Sequence, residues 1–341
     1  MKATAVAPAN IALIKYWGKK DASLRLPLNA SLSMNLSDAY AVTTVDFSPI
    51  YTEHQIVTPV APFHKNSRPR KVMKCEALNQ KEAGRIFSHM DMMQKRAGVH
   101  GKAKIATMNS FPKGTGIASS ASGFAALTAA AAAALGLQYS EKELSILARL
   151  GSGSACRSIP DGFVLWEEGN SSETSFARSI FDHRWWDLRD IVIVVASGKK
   201  EISSAAGMEQ VGTSPKLSDR LAAVPNRIKR AIDAIASKDI QTLGSVMEED
   251  CLDMHAVMQS QVPALYYWTE ETREIMDAVG QWRSGGLAVY FTIDAGPNVH
   301  LVCEGKNEKS VLEKVKELSG VQRVIVNKPA RGVHLIAHHL Y

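Results

Sequence analysis

The sequence predicts a mixed α/β chain folded as one unit in two lobes, and three observations carry that expectation. The chain has 341 residues, 45% of them hydrophobic, enough for one large or two medium domains around a real core. Its first 110 residues hold several runs with the alternation of half-buried strands, while Leu217–Ser237, Gln241–Gln259 and Tyr267–Trp282 have helical spacing. Between these regions a Pro/Gly/Ser loop passes from a strand into an alanine-rich helix.

Lys2–Ala9 alternates small and β-branched residues as a strand would, and Pro8 and Asn10 are expected to break it before Ile11–Ile14. Lys15-Tyr-Trp-Gly-Lys-Lys-Asp21 then puts three lysines, two aromatics and a glycine at a strand end. That is the composition of a site rim, although a charged turn whose aromatics pack inward would read the same. Leu26–Leu36 has the period of one half-buried strand, and Val42–Phe47 and Gln55–Val60 continue an antiparallel pattern. The spacing predicts a helix over Gln80–Gly98 and a strand over Lys102–Met108.

That strand feeds Asn109–Leu127, the stretch that first reads as an enzyme. Pro112, Gly114 and Gly116 let the backbone bend tightly, and the helix expected from about Ile117 to Leu135 opens with Ser119 and Ser120. Free amides and the positive end of the dipole at such a start suit a phosphate, while an N-capped core helix would show the same residues. The spacing matches neither the Walker loop nor a dinucleotide fingerprint. Ser140 with Glu143 has the form of a capping box for a helix over Ser140–Leu150. Gly151-Ser-Gly-Ser-Ala-Cys-Arg157 follows, small residues beside one guanidinium, suited to a carboxylate or phosphate or else a flexible turn.

Gly162–Trp166 and Ile191–Val195 read as strands, the second apolar enough to be central, with a lobe boundary expected in the polar segment Ser171–Asp190. Lys199–Met208 is a second small-residue loop headed by lysine. Gly286–His300 is an apolar strand closed by Asp294-Ala-Gly-Pro; the aspartate is either a turn former or a carboxylate projecting into a cleft. Helix Ser310–Ser319 and strands Val321–Val326 and Val333–Ala337 complete the chain.

Composition excludes several function classes. A formal charge of +6 spread among acids does not concentrate into a nucleic-acid surface; the exception, Lys65–Lys74, is either a solvated hairpin tip or a loop that meets nucleotide phosphates. The four cysteines lie far apart with no CxxC pair, so neither a zinc site nor a disulfide framework is indicated. Residues 1–25 lack a signal-type apolar core and no apolar run reaches membrane-spanning length, so a cytoplasmic chain with no membrane partner is expected.

Assembled in order, Ala7–Lys19, Phe111–Ala126, Arg149–Ser158 and Thr292–Asn298 resemble the GHMP kinase superfamily, and within it the mevalonate diphosphate decarboxylase branch. The words Lys-Tyr-Trp-Gly-Lys and Gly-Ser-Gly-Ser-Ala-Cys-Arg are specific to that branch. The resemblance implies a two-lobed α+β fold, with a ribosomal protein S5 domain 2-like, ATP-binding half over 1–185 and a ferredoxin-like half over 186–341. It also implies a homodimer, ATP with Mg²⁺, and phosphorylation of a tertiary 3-hydroxyl followed by loss of phosphate and CO₂. By the same resemblance Asp294 orients or deprotonates the hydroxyl, Lys15 lies near it and the transferred phosphoryl, and Arg157 takes the substrate carboxylate. Tyr16, Lys19, Ser152, Ser154 and Met208 are assigned to the substrate. Thr107, Asn109, Gly114, Gly116, Ala118, Ser119 and Ser120 are assigned to the nucleotide, with Ser120 also on the metal. Three positions depart from the usual pattern: Lys113 adds charge to the phosphate loop, Ala30 interrupts an Asn-Ser-Ser word, and Ala205 replaces an arginine found in some members. The last change leaves phosphomevalonate open beside the favoured diphosphomevalonate, and a kinase that stops at the phosphate ester, or a nucleotide-binding regulator, stays open too.

Overall fold

The computed structural model describes residues 1–60, 78–111, 119–195 and 204–341. The basic stretch Lys65–Lys74, the loop residues Lys113, Gly114, Gly116 and Ala118, and Lys199–Ser203 fall outside the described residues.

The first sheet is built on β1 (Lys2–Ile14), which Pro8 and Asn10 do not break. The register against its neighbour shifts between those two residues, so a bulge absorbs the proline's missing donor and the strand continues. A short hairpin, β2 (Lys19–Asp21) and β3 (Leu26–Pro27), follows. Gly18 turns the chain into it at φ 95°, where a Cβ would stand 2.5 Å from Leu28. The run expected as a single strand over Leu26–Leu36 is therefore divided, and its second part merges with Val42–Phe47 into the 18-residue β4 (Ser31–Ser48). Asn29 causes the division, because its amide donates to the carbonyls of Lys15 and Ala30 and fixes a turn there. Then come β5 (Gln55–Ile56), α1 (Gln80–Ala97), β6 (Lys102–Asn109), α2 (Ser119–Ala134), α3 (Glu141–Gly151), β7 (Phe163–Trp166) and β8 (Ala177–Phe181). Only two residues of Gln55–Val60 are strand, and they pair with β6 in parallel, contrary to the antiparallel expectation.

The sheet runs β8-β7-β4 on one side, and β1, β4, β6 and β5 in turn on the other, because β4 is long enough to pair with β7 through Ser31–Met34 and with β6 through Ala41–Ser48. Against its face lies α2, whose Ala125, Ala126, Ala129 and Ala130 meet Ala5, Ala7, Ala41 and Ala103 of the strands. Small side chains on both surfaces bring the helix close to the sheet. The predicted capping box at Ser140 is present: Ser140 accepts from Glu143 N, and Glu143 accepts from Ser140 N at 2.8 Å.

The second half opens with β9 (Leu188–Val194) and continues through α4 (Ser204–Gly207), α5 (Leu217–Ser237), α6 (Ile240–Ser260), α7 (Glu270–Ser284), β10 (Val289–Ile293), β11 (Val299–Glu304), α8 (Glu308–Val315) and β12 (Arg323–Asn327). Its sheet, β10-β11-β9-β12, is antiparallel throughout. The final strand, β13 (His334–Ile336), returns to the first sheet beside β1. A shared core joins the halves: Ile11, Leu13, Leu32 and Met34 of the first sheet pack with Val192, Val194 and Val302 of the second and with α5 and α6. Among the described residues no helix is long and apolar enough to cross a membrane.

Candidate active site

The site forms where two strand ends from different sheets meet. Lys15 follows the last residue of β1 and Asp294 the last residue of β10, and Lys15 Nζ donates to Asp294 Oδ1 at 2.6 Å. The lysine side chain is 2% exposed and the aspartate 24%, so the pair is sealed from behind and reachable only on the carboxylate side. Burial pushes the Asp294 carboxyl up, but the positive field of Lys15, followed by those of His300 and Arg157, outweighs it and holds the group below the usual carboxylate range. Asp294 is thus an ionised acceptor at neutral pH.

Helix α6 fixes the backbone of Lys15 and of the residue that precedes Asp294. Asp250 Oδ2 accepts from Lys15 N at 2.6 Å, and the Lys15 carbonyl accepts from Arg220 at 3.2 Å and Asn29 at 3.0 Å. Arg220 and Asp250, both fully buried, form an ion pair at 3.1 Å. On the other side Ile293 N donates to Cys251 Sγ at 3.1 Å, and His255 Nε2 lies 3.4 Å from Ile293 O, so the residue before Asp294 is held as well.

Arg157 sits in the 3₁₀ turn Gly153–Ser158, 4% exposed. Its Nε and one terminal nitrogen donate to Asn10 Oδ1 at 3.2 and 3.1 Å, and the other terminal nitrogen donates to Ser31 Oγ at 2.8 Å. All three contacts are to neutral oxygens; among the described residues no carboxylate pairs with it. A buried guanidinium held by neutral partners is set to take an anion. Tyr16 stands beside it, ring against Trp166 at 4.7 Å, with a buried hydroxyl that has no partner among the described residues. Gly153 leaves that hydroxyl room, since a Cβ there would come within 3.2 Å of it. Ser152 Oγ donates to Ser120 Oγ at 3.1 Å, joining the small-residue cradle to the start of α2. Lys19 is half-buried, Ser154 contributes its carbonyl to Asn10, and Met208 packs with the cluster around Trp17, on the flank of the site.

A second pocket adjoins this one. Thr107, Asn109, Ser119 and Ser120, four of the residues assigned to the nucleotide, line it together with Glu82, Arg85, Gly123 and Phe124. Gly114, Gly116 and Ala118 lie outside the described residues, so the structure does not bear on them. No acidic residue stands in the first turn of α2, which leaves that end open to an anion. Among the described residues no cluster of histidine, cysteine and carboxylate groups could hold a metal. The donor set fits magnesium carried on phosphate oxygens with a hydroxyl such as that of Ser120, the usual mode for this hard cation.

Sequence reasoning missed the supporting shell. Asn10 and Ser31 stood inside quoted words without a role, and no local signal marks Arg85, Asp250 or Arg220, because each reaches the site from a helix distant in sequence.

Residues 7–177 match the family model for the diphosphomevalonate decarboxylase-like N-terminal domain, and residues 190–332 the model for the mevalonate 5-diphosphate decarboxylase C-terminal domain. The diphosphomevalonate decarboxylase of Debaryomyces hansenii is 34% identical over 320 residues, covering 91% of this chain and 81% of the relative. The mevalonate diphosphate decarboxylase structure from Staphylococcus aureus superposes with a TM-score of 0.90 at 38% identity, covering 98% of both chains. MDDEF, solved in complex with MVAPP, AMPPCP and magnesium, gives 0.88 at 36% identity over 98% of this chain and 99% of its own. Two sheets joined at a buried Lys–Asp pair, and two domain models matched in order, identify the chain as a member of the diphosphomevalonate decarboxylase family of the GHMP kinase superfamily.

Proposed function

We propose that the protein is an ATP-dependent decarboxylase that converts 5-diphosphomevalonate to isopentenyl diphosphate. The observation that carries the reading is the 2.6 Å Lys15–Asp294 pair, exposed only on the carboxylate side and lying in the field of Arg157, a buried cation that among the described residues is hydrogen-bonded only to neutral oxygens. A tertiary hydroxyl is a poor nucleophile and hydroxide a poor leaving group, so the alcohol must become a phosphate ester before the C–C bond breaks. Asp294 accepts the hydrogen bond, and then the proton, of the 3-hydroxyl as it attacks the γ-phosphorus of ATP, and ADP leaves. Lys15 keeps that carboxylate ionised and offers positive charge beside the transferred group. Magnesium, when bound with the nucleotide, screens the triphosphate charge.

In the second step the electron pair of the C–CO₂⁻ bond forms the alkene while phosphate departs from C3. Arg157, with Ser152 and Ser154 of the same turn, positions the carboxylate at first. It must release the group as its charge is lost, and the neutral contacts to Asn10 and Ser31 hold the guanidinium in place meanwhile. Tyr16 and Lys19 serve the 5-phosphate end and Met208 its flank; Thr107, Asn109, Ser119 and Ser120 serve the nucleotide, with Gly114, Gly116 and Ala118 assigned to it by sequence. We further propose a cytoplasmic homodimer.

The test is a stoichiometry. With ATP and diphosphomevalonate the protein is expected to release one CO₂ and one phosphate per ADP. ADP without CO₂ would instead mean a kinase that stops at the ester, and faster turnover of phosphomevalonate would reassign the substrate.

A further inference from the structure

We infer that Arg25 and Arg85 form, with Lys19, a cationic floor that receives the oxyanions of a phosphate chain at the seam between the nucleotide pocket and the substrate cradle. The inference deepens the decarboxylase reading and rests on it. Arg25 lies between β2 and β3 at φ 52°, a left-handed conformation uncommon outside glycine, and Arg85 lies on α1. Arg25 Nε donates to Leu150 O and Arg85 donates to Gly151 O, each at 2.9 Å. Consecutive carbonyls at the end of α3 thus draw two guanidiniums from separate parts of the chain to one place. That place is immediately before the cradle residues Ser152–Ser154.

Arg85 also lies over the Phe124 ring at 4.9 Å and lines the pocket that holds Ser119 and Ser120. Ser152 and Ser120 are in contact at 3.1 Å, so one ligand chain laid along this seam would pass both arginines. Among the described residues no carboxylate comes within ion-pair distance of Lys19, Arg25 or Arg85. Burial pushes all three below their ordinary values; Arg25 adds to the effect on Lys19 and on Arg85, and the more distant Glu209 and Glu82 oppose it in part. Beside them His89 is buried and pushed down to about 3, by burial first and then by Arg25 and Arg85, so it stays neutral and adds no charge to the floor.

Capping the carbonyls of α3 would use one of the five N–H donors on each guanidinium and leaves the cations without an ion-paired carboxylate among the described residues. A phosphate chain supplies both the acceptors and the charge, and the fork of arginine suits it.

Steady-state kinetics on Arg25→Gln and Arg85→Gln test this, following ADP and CO₂ with ATP against diphosphomevalonate and against phosphomevalonate, alongside thermal midpoints. If the chain is the substrate's, KM for diphosphomevalonate rises about tenfold or more in each variant, while KM for phosphomevalonate moves less than about twofold. If it is the nucleotide's, KM for ATP takes that rise with either substrate. Thermal midpoints that fall while every KM stays within about twofold of wild type would reduce both arginines to helix caps and overturn the inference. Where a glutamine variant fails to fold, Arg25→Lys and Arg85→Lys keep the charge and lose the fork, and a KM rise of about threefold or more is expected from them; unchanged KM values would count against the site. Because ADP is followed separately, a wild type that forms ADP without CO₂ would sink the decarboxylase reading and leave the arginine comparison intact.

Discussion

Arg157 and Arg220 are both buried arginines beside the same pair of reactive groups, and they are partnered in opposite ways. Arg220 is 1% exposed and meets Asp250 at 3.1 Å and Asp253 at 3.2 Å while also holding the Lys15 carbonyl. Arg157 is 4% exposed, lies over the Trp166 ring at 5.7 Å and, among the described residues, donates hydrogen bonds only to Asn10 and Ser31. The first charge is cancelled within the protein, and its work is to hold backbone in place. The second is left for a ligand, at a desolvation cost the rest of the fold must offset.

The largest effect is expected at the group both arginines serve. Asp294→Ala should lower kcat by about 10³–10⁴-fold, with the dissociation constant for ATP, measured by titration, within about threefold of wild type. Turnover within tenfold of wild type would remove Asp294 from the chemistry.

The arginines themselves should then separate. Arg220→Gln leaves Asp250 buried with its nearest remaining cation, Arg227, at 3.6 Å, and should cost about 3–5 kcal/mol in denaturant unfolding. Arg157→Gln should cost no more than about 1 kcal/mol there, yet lower kcat/KM by about a hundredfold, because it removes the proposed partner of the substrate carboxylate. Equal losses of stability would erase the distinction between them.

The smallest effect is a displacement along the pH axis. Asp294 has a depressed pKa, so its charged form is present above the ordinary carboxylate value and is lost only as pH falls through the lower, folded value. Wild-type kcat/KM should therefore hold as pH falls into the ordinary carboxylate range. Lys15→Met removes the largest opposing charge, so the acid limb of whatever activity remains should move up in pH. An unmoved limb would show that Lys15 does not set the ionisation of Asp294.

Much of this was legible in the sequence because it is local. Helical spacing located α5, α6 and α7 to within a few residues, and the Ser140–Glu143 box depends on residues three apart. Lys15, Arg157 and Asp294 stood out because each follows an apolar or small-residue run with a charge that a buried strand end or tight turn seldom carries. Pairing was not legible. The bulge that carries β1 through Pro8 is defined only against β4, and the parallel partner of β5 lies 49 residues downstream.

The sequence by itself determined the chemical inventory: one late aspartate, one early lysine, one mid-chain arginine and a serine-led helix start. Only the tertiary structure decided which charges are cancelled and which are left for a ligand. Asp250 and Arg220 neutralise each other 30 residues apart, while Arg25 and Arg85 are drawn together by two carbonyls belonging to neither. Coulomb energy depends on separation and burial in space, and neither can be read from positions along a chain.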